Sequence, residues 1–258
     1  MIELERHRIW RNARHRAGAV SRRRLTDHSD GGAPQAGVIV VGVDDSPAGH
    51  AAVELAAMEA ELRRWDLWLL HVQPAGAAWY SAGDGGARLL ERMTDQVHCC
   101  APTVTVSSHL AVGAAATVLL AELSDTDMVV VGQHSGRSRT AFGLRTEERV
   151  AALHRGPALV VPVTGRPAGP ESADRPVVVG VDDSSSSTSA LDFARAEASL
   201  RGCELIALPA PADGDEAEAL VDASERAAAV VIDRRGAELG HAGRALVRDA
   251  ACPVFLIG

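Results

Sequence analysis

The stretch GVIVVGVDDSPAGHAAVELAAMEAELRRWDLWLLHV, Gly37 to Val72, decides the fold class. Val38 to Val43 is continuously apolar apart from Gly42, the pattern of a strand buried on both faces of a parallel sheet. Ser46 then offers a helix N-cap and Pro47 a first helical position. Ala51, Leu55, Met58 and Leu62 are spaced to share one helical face, and Leu67 to Val72 is a second apolar run. The segment reads as one βαβ unit.

Working outward, a helix is predicted around Arg88 to Val97, with Leu89, Leu90, Met93 and Val97 on one face, followed by a strand over Val104 to Leu110. A helix over Ala115 to Leu123 leads into an apolar strand at Met128 to Val131, and a helix over Thr146 to His154 precedes a strand at Leu159 to Val163. Strands alternating with helices in this way predict an α/β fold, with a parallel sheet, right-handed crossovers and helices on both faces. Ligands of such sheets sit beyond the carboxyl ends of the strands, where the winding changes direction.

The heptapeptide VVGVDDS at Val40 to Ser46 recurs at Val178 to Ser184, 138 positions later. Around it Ala52 matches Ala190, Leu55 Phe193, Glu59 Glu197, Leu62 Leu200 and Leu67 Leu205, all at that same offset. A repeat held in register over this length marks a tandem duplication. Matching Ala229 to Asp233 with Met128 to Gly132 drops the offset to 101, so the second copy lacks 37 residues, the size of its second helix and third strand. The sequence therefore predicts two tandem doubly wound parallel-sheet domains, the second truncated by loss of one helix and the edge strand. Their expected limits are 37–163 and 176–258, joined by a linker over 164–175, TGRPAGPESADR. Residues 1–36 carry eight arginines against four acids and few apolar residues, and are expected to be a disordered basic arm.

Composition narrows the function classes. A net charge of -8 argues against a nucleic-acid partner. No apolar run reaches the roughly 18 residues of a membrane span, and the first 36 residues hold no apolar core of a secretory signal, so a cytoplasmic location without a membrane partner is expected. All 26 basic residues are arginine, which excludes a Walker-type lysine loop, a Schiff-base lysine and any other lysine chemistry. The four cysteines show no CxxC spacing and read as thiols of a reducing compartment, and no histidine cluster suggests a metal. With no GxSxG, HExxH or helix-opening GxGxxG, no catalytic residue is assigned and an enzyme is not expected.

The segments VVGVDDSPAGHAAVELA, GAAATVLLAELSDTDMVVVG and ACPVFLI, together with a glycine-containing loop after the fourth strand, resemble the universal stress protein family over residues 37–258. The resemblance implies a sheet of strand order 3-2-1-4-5 that pairs with another through its last strand, here as an intramolecular pseudo-dimer of the two copies. It further implies an ATP site made by an acid ending strand one, backbone ending strand two, and a loop of pattern G-x2-G-x9-G-[ST] after strand four. Glycine lets amides approach phosphates there, and the next helix amino end favours their charge.

Onto this chain the pattern carries Asp44, Val72 and Gly132. In the loop GQHSGRSRTAFGLRTEE the second glycine position falls on Ser135, beside Gly136, and the third on Arg145, two places after Gly143 and before Thr146. Counting back from Pro157 instead places Leu144 and Arg145 at the Gly-Ser pair. Neither frame restores the motif, although Arg137, Arg139 and Arg145 put positive charge where phosphates would lie. In the second copy Asp182 survives, Asp233 replaces the first glycine, and only Gly240 resembles the terminal one. The resemblance thus implies a stress-response regulatory binding module holding ATP or another adenine nucleotide in the first copy only, with at most weak ATP hydrolysis. The candidate residues are Asp44, Val72, Gly132, Gly136, Gly143, Arg145 and Thr146. The alternative is a degenerate scaffold that binds no nucleotide and acts through protein contacts, as a homodimer or with another partner.

Overall fold

Strand β1 (Val38–Val43) feeds helix α1 (Pro47–Arg63), which returns to β2 (Asp66–Gln73). In this computed structural model the described residues are 37–74, 82–134, 145–163, 175–181, 187–209, 216–234 and 239–258. The expected basic arm, all of the linker but Arg175, and Gly136, Gly143 and Asp182 lie outside them. The chain continues through α2 (Ala82–Cys100), β3 (Val106–Val112), α3 (Ala115–Glu122), β4 (Met128–Gly132), α4 (Thr146–Leu153) and β5 (Ala158–Val161). The C-terminal part comprises β6 (Val177–Val181), α5 (Ser187–Arg201), β7 (Leu205–Pro209), α6 (Glu216–Ser224), β8 (Ala229–Asp233), α7 (His241–Asp249) and β9 (Val254–Ile257).

Among the described residues the strands make one nine-stranded sheet of order β3-β2-β1-β4-β5-β9-β8-β6-β7. Every neighbouring pair is parallel except β5 and β9, which run antiparallel with Leu159 opposite Phe255. The first five strands thus have the order 3-2-1-4-5, and the last four repeat it without its outer strand. Helices α1, α2 and α5 close one face of the sheet, and α3, α4, α6 and α7 the other.

The two halves match position by position. Val40 pairs with Val129 in the first half and Val178 with Val230 in the second. A Cβ built on Gly42 would meet Leu119 Cδ1 at 3.1 Å, and one on Gly180 would meet its counterpart Leu220 Cδ1 at 3.1 Å. Both glycines therefore let a leucine from the crossover helix pack onto the strand. Helix α1 ends with Arg64 in the left-handed region, φ 59°, where the amide of Trp65 bonds the carbonyl of Ala60 at 2.9 Å. The matching position of α5 is Gly202, φ 66°, and Cys203 bonds Ala198 in the same way at 3.0 Å. Both helices end in the same reversal, in one copy with a glycine and in the other against the steric cost of a side chain.

The two halves differ in how their sheets are covered. In the first half α2 buries Leu89, Leu90, Met93 and Val97 against the core that contains Ala57 and Leu69, both fully buried. The matching positions of the second half are Arg195, which pairs with Asp192 at 3.0 Å in solvent, and Ala207, which is exposed. A charged and a small residue stand where, among the described residues, no helix covers the sheet. Strand β7 ends the sheet, with Ile206 37% exposed.

Two expectations are corrected. The face of α1 is wider than the Ala51, Leu55, Met58 and Leu62 stripe: Ala52, Val53, Ala56, Ala57 and Ala60 are fully buried, and Leu62 is 40% exposed. This helix has the sheet on one side, α2 beside it and α5 within side-chain reach at its end, so small residues on several sides bring it close to its neighbours. Strand β3 begins two residues later than expected, because Val104 is buried in the turn before it. No described helix is long and apolar enough to cross a membrane.

The halves also meet between α1 and α5. Glu59 and Arg63 lie one helical turn apart, as do their counterparts Glu197 and Arg201. Each carboxylate touches both guanidiniums: Arg63 reaches Glu59 at 3.2 Å and also bonds Glu197, while Arg201 bonds both acids. Side-chain exposure is 3% and 4% for the acids and 8% and 13% for the arginines, so the cluster is a closed, charge-balanced square at the junction.

Candidate functional site

Strands β1 and β4 are neighbours whose chains leave in opposite directions, β1 into α1 on one face of the sheet and β4 toward α4 on the other. Between their carboxyl ends the backbone must part, which leaves a cleft. A cavity of about 190 Å³ occupies it, lined by Asp44, Val72, Gly132 and Thr146 from the predicted set and by His134 and Glu147.

Asp44 follows β1 and accepts hydrogen bonds from the amide of Ser46 at 3.1 Å, from the Ser46 hydroxyl, and from His134 Nε2 at 2.7 Å. The Ser46 hydroxyl in turn accepts the Gly49 amide at 3.0 Å, the N-cap that the sequence predicts. Gly49 is needed for this arrangement, since a Cβ there would lie 2.3 Å from Asp44 Oδ1. Gly132 is likewise required, but by packing: a Cβ would meet the Ala48 carbonyl oxygen at 2.5 Å. The first turn of α1 thus leans directly on the end of β4, an explanation of this glycine that needs no phosphate.

Arg145 is the N-cap of α4 and Thr146 its first residue. An arginine side chain has no acceptor to cap a helix, so only the reverse half of a capping box forms, with the Arg145 amide donating to Glu148 at 3.0 Å. The Arg145 guanidinium donates to the His134 carbonyl at 2.8 Å and lies 3.8 Å from Glu147. Arg137 and Arg139 are outside the described residues.

Two residues that the reading of the loop passed over dominate the electrostatics. His134 stands two positions after Gly132, its Nε2 on Asp44 and its Nδ1 3.7 Å from Glu147. Glu147 is 2% exposed, and its Oε1 makes no hydrogen bond. The bond to Asp44 first and Glu147 second lift the imidazole to about 10, against the opposing effect of burial. Burial would raise the Asp44 carboxyl, but bonds from His134 and Ser46 outweigh it and hold it at about 2. The pair is therefore an imidazolium carboxylate at neutral pH.

The sign of its pH dependence follows by linkage. A raised histidine stabilises the fold fully below its ordinary 6.5 and loses that contribution as pH rises toward 10. A lowered aspartate stabilises above its ordinary 3.8 and loses the contribution as pH falls toward 2. The stability difference between wild type and His134→Ala is thus expected to be largest from about pH 4 to 6.5 and to shrink on both sides, modestly in size because both side chains are nearly half exposed. Urea unfolding across pH checks this, and the His134 ring protons should show no titration between pH 5 and 8. A midpoint near 6.5 would remove the ion pair.

In the second half Asp233 occupies the position of Gly132, and its Oδ2 is buried without a hydrogen-bond partner. Gly240 is the N-cap of α7. Next to Asp233, Arg234 is 6% exposed and donates to the Ala151 carbonyl at 3.3 Å, so it crosses the junction to the last turn of α4. Among the described residues no group of three or more His, Cys, Asp or Glu is arranged to hold a metal ion. All four cysteines are free, and burial pushes Cys252 up to about 12.

Comparison with known proteins gives a consistent picture. The model of the universal stress protein family matches residues 36–162. Universal stress protein Rv2623 of Mycobacterium tuberculosis is 34% identical over 195 residues, which cover 70% of this chain and 65% of that protein. Universal stress protein Rv1996 of the same organism is 35% identical over 203 residues, covering 68% and 63%. The chain therefore spans a little under two thirds of the length of these relatives. Among solved structures, a universal stress protein from Archaeoglobus fulgidus superposes with a TM-score of 0.61 at 13% identity, covering 87% of this chain and 99% of that one, which speaks to the fold alone.

Proposed function

The chain belongs to the universal stress protein family through residues 36–162, and from that premise we propose that it is a cytoplasmic stress-response regulatory module whose ligand site is the first-half cleft. The ligand class is an adenine nucleotide or its nucleoside. Residues 37–163 and 176–258 are two copies of one domain joined as an intramolecular pseudo-dimer, and the second copy is a structural partner in which Asp233 disfavours an anion. Ligand occupancy, rather than turnover, is the output, read by a second copy of the chain or another protein.

The observation that carries this reading is the convergence of Asp44, Val72, Gly132 and Thr146, drawn from three strand ends and one helix start, on a single cavity of about 190 Å³. That volume suits a base and sugar better than an extended cofactor. Calorimetric titration with adenine compounds tests it. Binding is expected, with a rise in melting temperature that reflects about 2.7 kcal/mol when the ligand is at a hundredfold excess over Kd. Val72→Trp, which fills the cleft from a strand end, is expected to abolish both signals. No heat and no thermal shift at millimolar concentration would leave the scaffold reading in its place. Gly132→Asp is unsuitable as a probe, because the new side chain would collide with the backbone of Ala48 whether or not a ligand binds.

A further inference from the structure

We propose that the first-half cleft selects an adenine nucleoside against its polyphosphates. This rests on the reading of an adenine-type ligand in the cleft and narrows its class. In a phosphate site the amino end of a helix offers free amides and a positive dipole end. Here two carboxylates stand at that end. Glu148 takes the Arg145 amide at 3.0 Å, and Glu147, the second residue of α4, lines the cavity while 2% exposed. One of its oxygens has no hydrogen-bond donor, an uncommon state for a buried carboxylate and one that invites a donor from a ligand.

The cations of the described wall face inward to acids. His134 bridges Asp44 at 2.7 Å and Glu147 at 3.7 Å. The Arg145 guanidinium lies 3.8 Å from Glu147 and donates to the His134 carbonyl. A triphosphate laid along α4 would bring its charge beside Glu147 in a partly desolvated cleft, with like-charge repulsion and no uncommitted cation among the described residues of this wall to offset it. The hydroxyls and amino group of a nucleoside are donors, and Asp44 and Glu147 are acceptors that suit them. The described residues thus fit the nucleoside part of the family's cofactor and do not fit its phosphates.

The test is titration of the full chain with adenosine, AMP, ADP and ATP in one buffer. Kd is expected to rise with each phosphate, and to be at least tenfold larger for ATP than for adenosine. Glu147→Gln, which removes charge at nearly constant volume, is expected to narrow the ATP-to-adenosine ratio at least fivefold. ATP binding as tightly as adenosine would overturn the selectivity while leaving the adenine reading intact. Failure of the whole series to bind would remove both. An unchanged ratio in a folded Glu147→Gln protein would remove Glu147 as its cause, and the wild-type series decides the matter if that variant does not fold.

Discussion

Glu197→Gln is expected to lower the stability of the chain by about 3–5 kcal/mol, the usual cost of leaving buried charge without its partner. The reason lies in the square of Glu59, Arg63, Glu197 and Arg201, whose acids are 3% and 4% exposed. Burial, with Glu59 adding to it, pushes the Glu197 carboxyl up more than Arg201 and Arg63 pull it down, so its charge depends on those two neighbours. Glutamine keeps the volume and removes the charge, leaving two guanidiniums to share Glu59. Replacing all four residues by leucine or methionine removes the desolvation penalty along with the attraction, and is expected to be near neutral or stabilising. Urea unfolding of the two variants separates these cases. A loss below 1 kcal/mol for Glu197→Gln would mean that water reaches the square.

The second large effect is expected from Phe255→Ala, at about 3–5 kcal/mol. Phe255 is fully buried in β9, sits opposite Leu159 across the antiparallel junction, and packs its ring 5.2 Å from that of Phe193. Truncation loses the transfer energy of the ring and leaves a cavity that β-sheet backbone on both sides cannot collapse to fill. The guanidinium of Arg201 lies 5.7 Å from the centre of the same ring. The two predictions are therefore coupled, and a double-mutant cycle between positions 197 and 255 should depart from additivity by more than 0.5 kcal/mol. Strict additivity would show that the charged square and the apolar junction are independent.

Much of this was legible in the residues. Continuous apolar runs gave the buried strands, Ser46 and Pro47 the start of α1, and the constant offset around VVGVDDS the duplicated packing of Gly42 and Gly180. What stayed hidden depends on neighbours distant in sequence. Pattern-matching to a narrow stripe misplaced the face of α1, because alanine serves equally well against sheet, helix or solvent. The offset paired Glu59 with Glu197, but nothing in a linear reading places Arg63 against the second acid. At the cleft, attention to glycine spacing passed over His134 and Glu147. Their signal was present as an unusual density of acids in the first turn of α4 and a histidine two residues after β4, and only the approach of Asp44 gives it meaning. Gly132, a phosphate position by the family pattern, also has a packing role that spacing does not reveal, since a Cβ there would meet the carbonyl of Ala48.

The single antiparallel pairing, β5 with β9, reverses the direction of the sheet at its middle. The carboxyl ends of β1 and β4 therefore open on one rim and those of β6 and β8 on the opposite rim, separated by the length of the strands. A ligand in the first-half cleft therefore leaves the opposite rim open to a protein contact. The central strands and the charged square are what join the two rims.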